Sequence, residues 1–69
     1  MRGTPEHMER GMALFSLGQA LWAAGDRERA WARVEEARQL FSGPEEGFHR
    51  RWIESWMDAR RSLFQSARH

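Results

Sequence analysis

The chain has no cysteine, lysine, asparagine or tyrosine, and only two prolines. Without cysteine there can be neither a disulfide framework nor a thiolate metal site, and the composition suits a reducing compartment, so the expected localisation is cytoplasmic. No apolar run approaches the ~20 residues a membrane span needs. The opening Met1-Arg2-Gly3-Thr4-Pro5 lacks the apolar stretch of a secretory signal, and no membrane partner is expected. All 11 basic residues are arginine, a bias that fits a GC-rich, bacterial coding sequence. These arginines alternate with 10 carboxylates for a formal net charge of +1, so a pI near 9.0 requires no basic face.

What is present is the composition of one soluble globular domain spanning residues 1–69, with 41% hydrophobic and 30% charged residues. A domain this small buries only about 60% of the surface its unfolded chain exposes, so one modest core must suffice unless something else supports it.

The punctuation predicts three helices and no strand. Thr4-Pro5-Glu6 combines a capping residue, a proline where no amide is needed and an acid in the first turn. The first helix is expected over about residues 5–24, with Gly25 ending it and Asp26 capping the next. Its apolar positions, from Met8 to Ala23, cover more than half its circumference, so it calls for neighbours on two sides. The second helix, about 27–41, places Ala30, Trp31, Val34, Ala37, Leu40 and Phe41 at spacings of three and four. Ser42-Gly43-Pro44-Glu45 repeats the stop and start, with capping-box spacing from Ser42 to Glu45. The third helix, about 44–67, carries acids at its start and Arg60, Arg61 and Arg68 toward its end, matching the helix dipole. Glu6 to Arg10 and Glu46 to Arg50 have the spacing of favourable i,i+4 pairs.

Residues 11 to 44 resemble one tetratricopeptide repeat (TPR), a helix-turn-helix with small residues where its helices touch. Leu14, Leu17, Gly18 and Leu21 match the first-helix pattern, Gly25-Asp26 the turn, and Ala30, Val34 and Ala37 the second helix. Gly18 lacks a β-carbon and would let Ala30 approach closely. The chain departs from the family in having Ser42 where a proline usually follows the second helix, with Pro44 two residues on. A shift by one repeat puts Arg51 and Trp52 where Leu and Gly belong, so no second repeat follows, and the third helix is closer to the helix that caps TPR arrays. The resemblance implies an all-α fold: an antiparallel hairpin plus a third amphipathic helix. Repeat folds need about three stacked units. One unit short of neighbours is therefore expected to self-associate, as a homodimer or larger assembly, or to dock on a partner, and a unit cut from a longer array would show the same need.

By the same resemblance the concave, ligand-bearing face would hold Met8, Met12, Phe15, Gln19 and Trp22, one stripe that either receives an apolar helix or peptide or is covered by the third helix. It lacks the Lys and Asn of TPR clamps that read acidic chaperone tails. On the third helix Phe48, Trp52 and Trp56 form one ridge, and Ile53, Met57 and Phe64 an adjacent one. One ridge should face the hairpin and the other an oligomer or partner interface.

Arg50-Arg51 and Arg60-Arg61 raise an alternative, a small nucleic-acid-associated regulator, which Glu54 and Asp58 between them oppose. No catalytic pattern stands out. His7, His49 and His69 are far apart, and Glu45 with His49 supplies two ligands where zinc needs three or four. No nucleophile, phosphate loop or paired carboxylates appear either. The expectation is a non-enzymatic protein-interaction module (adaptor, scaffold or self-assembling subunit) with no cofactor and no metal.

Overall fold

A computed structural model describes residues 6–43 and 46–67. Three helices account for nearly all of them: α1 (Glu6–Ala23), α2 (Arg27–Leu40) and α3 (Gly47–Ala67). The fold is all-α, and the described residues contain no strand. Among the described residues no helix is long and apolar enough to cross a membrane.

The turn between α1 and α2 forms because Gly25 takes a φ of +96°, a left-handed conformation that costs a residue without Cβ nothing. The Asp26 amide then reaches back to the Leu21 carbonyl (2.9 Å) and the Gly25 amide to Trp22 (3.0 Å), satisfying carbonyls the helix end would otherwise leave open. Asp26 does not cap α2 through its side chain as the sequence suggests. Its carboxylate pairs instead with Arg29 at 3.5 Å, while its carbonyl accepts from the Ala30 amide.

The expected Thr4 cap lies outside the described residues, as do Pro44 and Glu45 of the second stop-and-start signal. One residue beyond the Ser42–Glu45 spacing, the Gly43 amide donates to the Glu46 carboxylate at 3.3 Å, and the Glu46 amide returns to the Gly43 carbonyl at 3.0 Å. Glu46 thus does the work of a capping-box acid at the start of α3. It forms no ion pair with Arg50, whose guanidinium donates instead to the Phe41 carbonyl at 3.1 Å and closes the end of α2.

Contacts set the directions of the helices. Gly11 meets Phe41 and Gly18 meets Val34 and Ala30, so α1 and α2 run antiparallel at close range. Phe41 stacks on His49 and Trp31 on Phe64, so α3 runs antiparallel to α2 and parallel to α1. Phe15, Val34, Ala37, Phe41, Ile53 and Met57 form the buried cluster, joined at its edge by Met8, Met12, Leu14, Trp31 and Trp56. Arg38, bonded to Glu35 on its own helix, also reaches Glu54 of α3 at 3.6 Å; the Glu35 hydrogen bond chiefly holds its pKa above the ordinary value.

Candidate interaction surface

The two aromatic ridges of α3 part company in the structure. Ile53, Met57 and Phe64 are buried against the hairpin, whereas Phe48 is 76% exposed and Trp52 49%. Trp56, between them, is half-buried. Leu63, which the ridge pattern leaves out, is exposed as well.

The stripe on α1 is divided between core and surface. Phe15 is buried, with Trp52 and Trp56 standing edge-on to its ring at centroid distances of 5.5 and 6.0 Å. Met8 and Met12 pack at the core margin, Trp22 is half-buried and Gln19 is exposed. The third helix therefore covers much of this stripe and leaves its Gln19 side open. A chain of rings continues from Trp56 to Trp22 (5.5 Å), Trp31 (6.4 Å) and Phe64 (4.6 Å, near-parallel), crossing all three helices. Arginines lie over three of these rings: Arg27 on Trp22, Arg60 on Trp56 and Arg61 on Trp31. Such cation–π contacts contribute about 0.5–1 kcal/mol each at exposed sites.

Of the positions expected to pack the hairpin, Gly18, Ala30, Val34 and Ala37 are buried and Leu14 and Leu21 half-buried. Leu17 is not: it is 47% exposed. Neighbouring helix positions differ by about 100°, so a helix that approaches α1 over Gly18 leaves Leu17 turned outward, in a groove with Leu21, Arg29 and Arg33.

Charge is distributed unevenly over the surface. From Gly11 to Gly25, α1 and its turn carry no ionisable side chain. On α3, Phe48, Trp52, Ser55, Ala59, Ser62 and Ser66 recur at spacings of four and three, all exposed and all uncharged. Arg51, Glu54, Asp58 and Arg61 flank this strip on one side, and α2 presents Glu28, Arg29, Arg33 and Glu36 elsewhere. By helical spacing Met12, Ser16, Gln19 and Ala23 lie along α1 beside the Phe15 and Trp22 contacts, so the uncharged surface spans both helices. Its most apolar part is a shallow groove of about 590 Å3 lined by Phe48, Arg51, Trp52 and Ser55.

The arginines of α3 are largely engaged within the molecule. Arg50 caps α2, Arg60 bonds the Trp56 carbonyl at 3.2 Å while lying over its ring, and Arg61 bonds Asp58 at 2.8 Å. His7 meets Glu46 across the helix ends, a contact between residues 39 apart that no local pattern reveals. That hydrogen bond, more than any other cause, holds the Glu46 carboxyl below its ordinary pKa. His49 stacks on Phe41, and the Glu45 carboxylate proposed beside it lies outside the described residues. Among the described residues no group of three or more His, Asp or Glu could hold a metal ion.

No protein family, no curated protein and no solved structure matches the chain.

Proposed function

We propose that the chain is a protein–protein interaction module, a TPR-like hairpin closed by a capping-type helix, whose uncharged α1–α3 face docks on another helical surface. The observation that carries this reading is the outward strip of α3. A helix that buries one face normally turns charge toward water on the opposite one, yet here that face presents Phe48 and Trp52 in an unbroken line of uncharged residues. Burying a fully exposed aromatic side chain contributes about 1.5–3 kcal/mol; Phe48 has most of its surface still to bury and Trp52 about half, which together give a docking partner an anchor. Association driven this way tolerates salt.

The test is sedimentation equilibrium of the wild type and of Phe48→Ser over micromolar concentrations at low and high salt, alongside binding of an apolar fluorescent dye by the native state. Salt-tolerant association, or native dye binding, that Phe48→Ser abolishes without loss of helix content is the expected result. A monomer whose native state binds no dye overturns the reading.

A further inference from the structure

The uncharged face has an internal asymmetry that selects its occupant. Along α3 the large side chains, Phe48 and Trp52, come first, and the small ones, Ser55 and Ala59, follow. Two such strips laid parallel would set Phe48 on Phe48 and small residue on small, leaving a clash at one end and a gap at the other. Laid antiparallel, Phe48 of each helix falls opposite Ala59 of the other and Trp52 opposite Ser55, large into small throughout, as close helix packing requires.

Charge follows the same symmetry. Arg51 and Asp58 are seven residues apart, two helical turns, and lie along the same flank of the strip, both exposed. In a two-fold antiparallel pair each flank meets its own copy with the order of residues reversed. In the register that sets Phe48 against Ala59, Asp58 of one helix lies two residues, about 3 Å of rise, beyond the point facing Arg51 of the other, a gap an arginine side chain spans, and the reciprocal pair forms as well. Asp58 already accepts one bond from Arg61, and a carboxylate has lone-pair capacity for a second guanidinium. Together the uncharged part of α1 from Gly11 to Ala23 and the outward face of α3, roughly 20 and 32 Å long and about 10 Å across, offer a footprint of the order of 500 Å2 per partner, about 1,000 Å2 for the pair, the smallest area expected of a specific interface.

We infer that the occupant of this face is a second copy of the chain, docked antiparallel with α3 against α3, so that Arg51 and Asp58 pair reciprocally across a two-fold axis. This rests on the docking reading above and names its partner. The α1 strip, with Ser16, Gln19 and Ala23, flanks the same axis, where small side chains permit approach.

The experiment is sedimentation equilibrium at low salt on four proteins: wild type, Arg51→Asp, Asp58→Arg and the double exchange. Each single variant places like charges across the axis twice and should raise the dimer dissociation constant about threefold to tenfold, and the double variant should bring it back to near the wild-type value. Circular dichroism confirms that all four are folded. Because Asp58→Arg also removes the Arg61 bond, Ser55→Glu serves as a further variant; it sets two carboxylates near the axis and should abolish the dimer with helix content unchanged. A dimer that all these variants leave intact, but that Phe48→Ser dissociates, overturns the antiparallel pairing and leaves the docking reading standing. A wild type that stays monomeric overturns self-pairing, and dye binding then decides whether the docking reading fails with it.

Discussion

The ring of Phe41 fills the space that a β-carbon on Gly11 would need: two of its ring atoms lie 2.6 Å from that position. Gly18, two turns along the same helix, stands in the same relation to α2, where a β-carbon would collide with Val34 and come within 3.0 Å of the Ala30 carbonyl. At Gly18 the backbone of α2 itself comes close to α1, whereas at Gly11 it is the Phe41 ring that seats against the helix. Substituting alanine gains about 1 kcal/mol of helix propensity but forces the helices apart, at a typical overpacking cost of 1–3 kcal/mol. Gly18→Ala should therefore show a net loss of stability in urea denaturation, because its neighbours are backbone and a fully buried valine. Gly47→Ala, whose β-carbon would meet nothing nearer than 3.9 Å, should show none.

Gly25 isolates the backbone contribution. A β-carbon there would meet nothing within 4 Å, so the only cost of Gly25→Ala is the left-handed conformation itself. A loss of about 1–2 kcal/mol is expected from the denaturant midpoint, and Gly25→Asn should recover part of it, since asparagine tolerates this conformation.

Ile53→Ala and Phe48→Ala separate the two faces of α3. Ile53 is fully buried against the hairpin, and its truncation should cost about 2–5 kcal/mol, enough to unfold much of a domain this small. Phe48→Ala should change the stability of the monomer by less than about 0.5 kcal/mol. Circular dichroism melts at low protein concentration make the comparison; equal losses would mean that Phe48 is packed in solution.

The His7–Glu46 contact gives stability a pH dependence with a definite sign. The folded carboxyl sits below its ordinary 4.5, chiefly through the His7 hydrogen bond, so the unfolded chain takes up a proton first as pH falls. The stabilisation is complete above 4.5 and is lost as pH drops through the lower, folded value. Urea midpoints should hold near neutrality and decline below about pH 4.5, and in Glu46→Gln that acid decline should be shallower.

Much of the architecture is legible along the chain because its causes are local. Gly25 followed by Asp26 marks the end of α1 through its own left-handed backbone, and apolar spacing of three and four marks α2. The pairing of Gly18 with Ala30 is anticipated by the resemblance to a tetratricopeptide repeat, which sets small residues where its two helices touch. Gly11 carries the same signal, seven residues earlier on the same face, but its partner Phe41 belongs to the far end of α2, and nothing short of the antiparallel register joins them. Leu17 shows the limit of a pattern: the repeat-like spacing groups it with Gly18, yet the direction of the α2 approach turns it to solvent.

Helix number, type and approximate ends therefore follow from glycine, proline and hydrophobic period alone, since each acts over a few bonds. Which aromatic ridge of α3 is core and which is surface depends on the rotation of α3 about its own axis. That rotation is set by how Ile53, Met57 and Phe64 fill the space beside Val34, Ala37 and Trp31, and by where Arg50 finds the Phe41 carbonyl. Both ridges are hydrophobic enough to be buried. The choice between them is a matter of shape, which arises only when three helices are packed together.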